Sequence, residues 1–287
     1  GKGLADLIRE EYGVRVTFVA MFALLIANFA TTVSEFAGIL AATQIFLGST
    51  ARFVVLPLVA IVIWAVVTRG TYKRLEKILL GASLVYLLYI VSAFLAHPKW
   101  GDVFKETFVP DFKSISPLKD YVFMIINVVG TTITPWGQFY IQSSVRDKGV
   151  KASEYRETRI DVLFGAFFTN LVAYFIIVCC GATLFAAGIH QVDDAGQVAQ
   201  ALTPLAGKLA TALFAIGLFN ASCFGAIAVP LSTAYAVTEA LGWESALGRR
   251  TREASLFVGT FTFLIATSAL LVMLFPKNLT TLILLPN

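Results

Sequence analysis

The sequence predicts an all-α polytopic membrane protein, and three observations predict it. Hydrophobic residues make up 57% of the 287 residues and charged residues only 14%, with a mean hydropathy of +0.79. A soluble domain is nearer a quarter charged. Apolar runs of about 18 or more residues recur along the whole chain, which is the length a bilayer requires. The third observation is a helix-breaking run, Gly130-Thr131-Thr132-Ile133-Thr134-Pro135-Trp136-Gly137-Gln138, inside one of those apolar segments. Proline has no N–H to give a helix and its ring clashes with the preceding turn, and glycine weakens a helix by about 1 kcal/mol. A membrane tolerates broken backbone only where it is buried in protein or lines a polar cavity. Secondary transporters hold substrate ions at such breaks. The segment 131–137 is therefore expected to be non-helical and to face a cavity or another helix.

Seven full spans follow from the apolar pattern: 14–46, 53–68, 75–96, 121–144, 162–188, 205–241 and 256–275, with an eighth starting near Leu279. They form a single transmembrane helical domain over 1–287, read as incomplete at both ends. The first and sixth spans exceed the bilayer and must tilt, kink or project, and Gly225 and Pro230 predict a kink in the sixth. The longest polar stretch, 97–120, reads as an exposed loop with a short helix. Alternating the spans places Lys2, Arg9, Arg15, Arg69, Lys73, Arg74, Lys77, Arg146, Lys148, Lys151, Arg156, Arg159, Arg249, Arg250 and Arg252 on one side. Arg52, Lys99, Lys105, Lys113, Lys119, Lys208 and Lys277 fall on the other. The positive-inside rule puts the first set, and the start of the chain, in the cytoplasm of a cell membrane. The net charge of +4 reflects this bias and is no argument for nucleic acid.

Few side chains can carry chemistry. Glu35 lies well inside the first span, where an ionisable group costs about 3 kcal/mol or more and marks function by default. The competing reading is a Glu that locks two helices through Asn28, Thr31, Thr32 or Ser34. At the break, threonine hydroxyls and freed carbonyls are hard oxygen donors suited to Mg²⁺, Ca²⁺ or Mn²⁺; a plain proline kink is the alternative. Gln138, Gln142, Ser143 and Ser144 continue the polar run and favour a water-lined path. In the sixth span the small residues suit helix packing, and Asn220 is kept as a pathway candidate. Cys179, Cys180 and Cys223 have no metal-ligand spacing and read as small apolar residues. His97 and His190 lack helical metal-binding partners, Asp193 and Asp194 read as solvated charges, and no phosphate-binding loop occurs. The chain is read as a transporter without cofactor, not an enzyme.

The order of these features resembles the NRAMP (natural resistance-associated macrophage protein) family of divalent-metal transporters, across essentially the whole chain. Residues 1–10 look like the cytoplasmic start of that family's third core helix. Thr31 to Gly38 resembles its Thr-Asp-Leu-Ala-Glu-Val-Ile-Gly segment, with Glu35 on the glutamate. Gly130 to Pro135 resembles its Gly-Ala-Thr-Val-Met-Pro segment in the unwound sixth core helix. The departures point to the NRAMP-related magnesium transporter branch. The family's metal-binding methionine corresponds to Thr134 and the following histidine to Trp136. The acidic residue of the first segment corresponds to Thr32, and the second histidine to Ile141 or Gln142.

The resemblance implies a LeuT-type inverted-repeat fold and alternating access. The metal site would lie between the first and sixth core helices. Its Asp-Pro-Gly-Asn half is not in this chain, so the first and second core helices are expected partners, with the bilayer. Thr134 and the Thr131 carbonyl would bind the ion or its waters, and Trp136, Gly137 and Gln138 would shape the cavity. Mg²⁺ keeps part of its hydration shell and gains nothing from a thioether, so the transported substrate is expected to be Mg²⁺, with Mn²⁺ second, and proton coupling weak. The alternatives are a proton-coupled Mn²⁺ or Fe²⁺ importer and, from another class, a seven-span receptor.

Overall fold

The computed structural model describes residues 2–70, 72–109, 118–189, 195–243 and 254–275. Among them the regular structure is helical throughout. Ten α-helices follow in order: α1 (Leu4–Leu47), α2 (Ala51–Arg69), α3 (Tyr72–Ser83), α4 (Leu87–Leu95), α5 (Trp100–Phe108), α6 (Leu118–Thr132), α7 (Pro135–Lys148), α8 (Tyr155–Cys180), α9 (Ala195–Ala240) and α10 (Ser255–Leu274). Among the described residues, five helical stretches are long and apolar enough to cross a membrane, and the first of them, Leu4–Arg69, runs through both α1 and α2. Many large apolar side chains stay exposed on these helices, among them Phe18, Phe22, Ile61, Phe164 and Phe167. A helix that is apolar on its outer face as well as its inner one is suited to lipid rather than water.

The two expected long spans are α1 and α9, and among the described residues they make the most extensive contact between helices. Their seam alternates large and small side chains. Phe36, Ile39 and Leu40 of α1 and Leu231 and Tyr235 of α9 are fully buried beside Ala37, Ala226 and Ala234. Small residues let backbones approach closely, which is how helices associate where lipid gives no hydrophobic drive. Gly38 shows the limit of that approach, because a side chain there would strike the Ser222 hydroxyl. Within the seam, Asn28 Nδ2 donates to Thr233 Oγ1 at 2.8 Å.

Helices α2 and α10 extend this core through Leu56, Ile63, Phe257, Phe261 and Ile265. The Trp64 indole donates to Thr262 Oγ1 at 2.8 Å between them. A second core joins α4, α8 and α9 through Tyr89, Ala93, Val172, Cys179 and Phe214. The predicted third span is α3 and α4 joined by a 3₁₀ turn at Leu84–Tyr86. The fifth is α8 with a π turn at Gly181–Phe185. The short helix expected in the polar stretch is α5, whose Trp100 ring stands 5.0 Å from Phe94 and 6.3 Å from Phe175.

One expectation needs correction. The kink predicted at Gly225 and Pro230 is absent from the backbone dihedrals, which stay helical there. The break in α9 is at Gly207, with φ 84° and ψ 165°. Pro230 is itself buried, between Val229 and Leu231, which are 1% and 0% exposed. Tight packing on both sides holds the helix through the missing N–H. Gly207 instead adopts a positive φ, which glycine does without steric cost. The same device bends α1 at Gly13, with φ 78° and ψ 173°, so a short leading segment meets the long span at an angle. His190, Asp193, Asp194, the Arg249–Arg252 group and the eighth span lie outside the described residues.

Candidate metal site at a broken helix

The fourth span divides where the sequence predicted, but more tightly. α6 runs through Thr132, the Ile133 N–H still reaches the Val129 carbonyl at 3.0 Å, and α7 restarts at Pro135. Only Ile133 and Thr134 leave the helix, not the whole of 131–137. The reason is local. Proline pushes the residue before it out of the α region, and Thr134 has φ −72° and ψ 133°. Proline is then well suited to the first position of the next helix, where its missing N–H costs nothing.

The short break presents two helix ends to each other. The last carbonyls of α6 and the first N–H groups of α7 have no partners within their own helices. The C-terminal end of α6 carries partial negative charge, which favours a cation. Thr131 sits in that last turn, so its carbonyl belongs to the set; its side chain lies outside the described residues. Thr134 is half-buried and occupies the N-cap of α7, yet its hydroxyl makes no capping bond. A capping threonine normally satisfies an N–H of the following turn. Gly137 lies one turn on, and a β-carbon there would stand 3.2 Å from Thr134 Oγ1. The glycine keeps the approach to that hydroxyl open.

Trp136 is half-buried and fixes the first turn of α7 to α9, because its carbonyl accepts a hydrogen bond from Ser232 Oγ at 2.7 Å. Gln138 is exposed. The polar run does not continue as one open face: Ser143 is fully buried and donates to Glu239 Oε1 at 2.8 Å. Glu35 is not at the break. Its carboxyl fills the notch left by Gly225 on α9, where a β-carbon would overlap it. Gly225 precedes Ser232 by seven residues, about 10 Å of helix at 1.5 Å per residue. Asn220 lies further along α9 and donates to the Ala82 carbonyl at 2.9 Å, linking α9 to α3. Thr32, where the resemblance expects an acid, is buried and bonded to the Asn28 carbonyl at 2.7 Å.

No group of three or more His, Cys, Asp or Glu side chains that could hold a metal occurs among the described residues. The oxygens at the break are the Thr134 hydroxyl and the last carbonyls of α6, which are hard donors. Sequence reasoning missed the anchor from Ser232 and the buried Glu239. Glu239 was the readable one, since it is an acid within two residues of the end of an apolar span.

The family model described as Nramp, natural resistance-associated macrophage protein-like, matches residues 1–286. The chain belongs to the Nramp family. Its similarity to curated relatives is distant but extended. It is 28% identical over 227 residues to a protein of Erwinia tasmaniensis named divalent metal cation transporter MntH, covering 77% of this chain and 54% of the relative. MntH of Vibrio campbellii is 28% identical over 226 residues, covering 76% and 52%. MntH of Brucella suis is 25% identical over 228 residues, covering 76% and 49%. The chain spans about half the length of these Nramp relatives. Membership of the Nramp family favours the transporter reading over the seven-span receptor.

Proposed function

We propose that the full-length protein is a secondary transporter of divalent metal ions that prefers Mg²⁺, accepts Mn²⁺ and couples little to protons. The observation that carries the reading is the two-residue break at Ile133 and Thr134, with the Thr134 hydroxyl not spent on capping α7. The relatives' name, divalent metal cation transporter, supports metal as the cargo. The choice of metal rests on donor chemistry. Threonine hydroxyl and backbone carbonyls suit an ion that retains waters, and Thr134 replaces the thioether that the resemblance would place there. Weak proton coupling rests on Thr32, Trp136, Ile141 and Gln142, none of which titrates near neutral pH.

A second reading is favoured by Glu35, an acid held between α1 and α9 at membrane depth. With that group as proton carrier, the protein would be a proton-coupled Mn²⁺ or Fe²⁺ importer. The deciding experiment is uptake of Mg²⁺, Mn²⁺ and Fe²⁺ by the full-length protein in liposomes, with internal pH recorded. Mg²⁺ uptake without acidification is expected. Metal-driven proton influx abolished by Glu35→Gln would replace the first reading by the second. Uptake of no metal would end both.

A further inference from the structure

We propose that Glu239, Ser143 and Arg146 form the bond that closes the transporter on the side where α1 begins, and that this bond breaks when α7 swings. The proposal rests on the transport reading above.

Glu239 is 2% exposed and lies one residue before the end of α9. The C-terminal end of a helix is a poor place for a carboxylate, so the group needs compensation from outside α9. It comes from α7. Ser143 Oγ donates to Oε1 at 2.8 Å, and the Arg146 Nη2 stands 3.2 Å from the same oxygen. Ser143 and Arg146 are three apart and share one face of α7. The start of α1 closes the remaining side. The Glu239 carboxyl occupies the space where a side chain at Gly3 would be, and Arg9 Nη1 donates to the Ala240 carbonyl at 3.1 Å. One buried carboxylate thus joins the ends of three helices.

Its position makes it a closing bond rather than an ordinary brace. α7 is hinged at Ile133 and Thr134 and anchored near that hinge by Ser232. Arg146 lies eleven residues beyond Pro135, about 16 Å along the helix, so a swing of roughly 10° moves it by roughly 3 Å. That displacement separates a hydrogen-bonded ion pair, while Thr134 beside the hinge hardly moves. A buried pair that loses one partner is strongly destabilised unless water replaces it. The pair therefore favours two discrete arrangements, closed and dry or open and hydrated, over a continuum between them.

The test uses the full-length protein in liposomes with Cys179, Cys180 and Cys223 replaced by alanine. Spin labels are placed at the exposed positions Val145 of α7 and Leu241 just after α9. Glu239→Gln and Arg146→Gln should each raise the ratio of the long-distance to the short-distance population about tenfold, with a smaller rise for Ser143→Ala. A role confined to stability would lower the melting temperature and leave the distance distribution unchanged, and that result in all three variants overturns the proposal. If Glu239→Gln fails to fold, Arg146→Gln decides alone, because Arg146 is partly exposed. Metal uptake by the unsubstituted protein separates the two ideas. Distances that shift in a protein moving no metal keep the closing bond and remove the transport reading. Normal uptake with unmoved distances does the reverse.

Discussion

Thr134→Met should move selectivity from Mg²⁺ towards Mn²⁺ and Cd²⁺. The substitution exchanges a hard oxygen for a polarisable thioether, which stabilises softer, more dehydrated ions and offers Mg²⁺ nothing. The structure sets the expected size of the effect. The Thr134 hydroxyl makes no cap bond, so the loss of about 1 kcal/mol that usually follows removal of an N-cap threonine does not arise. Helix α7 should stay in place. Gly137 has no β-carbon to stand 3.2 Å from Thr134 Oγ1, so a longer side chain has room on the α7 side. A methionine that extends into the break also displaces water that Mg²⁺ would retain. A change of about 1.4 kcal/mol in relative affinity is about a tenfold change in the ratio of binding constants. Calorimetric titration of the full-length protein and its variant with Mn²⁺, Cd²⁺ and Mg²⁺ measures that ratio. Three unchanged affinities would mean that Thr134 does not face the ion, and the site would have to be placed elsewhere.

Three further outcomes are expected. Pro135→Ala restores an N–H and frees Thr134 to turn helical; metal uptake should fall at least about tenfold, and undiminished uptake would show that the break is dispensable. Gly225→Ala puts a methyl group where the Glu35 carboxyl lies; that carboxyl is the free end of a flexible side chain and should turn aside at a cost below about 1 kcal/mol, less than overpacking against fixed atoms, and a large fall in the melting temperature in detergent would show that it cannot move. A cysteine at Ala152, which is exposed beside Lys151, should react with an impermeant thiol reagent only from the cytoplasmic side. Labelling from outside the cell would reverse the orientation.

The helical membrane class was determined by composition and run length alone, because hydrocarbon imposes one length and one way to satisfy the backbone. The position of the break was likewise local: a proline constrains itself and its predecessor wherever the chain goes. Its extent was not. Thr131, Thr132, Trp136 and Gly137 stayed helical, because the α6 bonds continue to Ile133 and the Ser232 hydroxyl holds the first turn of α7. The kink in α9 shows the same division. Pro230 and Gly225 carried the sequence signal, but packing against buried neighbours kept that turn helical and the bend went to Gly207. The notch of Gly225 against Glu35 and the meeting of Ser143, Arg146 and Glu239 depend on residues about 100 or more positions apart. No local propensity encodes which faces of α1, α7 and α9 turn towards one another. That was decided by how small side chains let α1 and α9 close on each other, and by the need of a carboxylate buried at a helix C-terminus for partners that only another helix could bring.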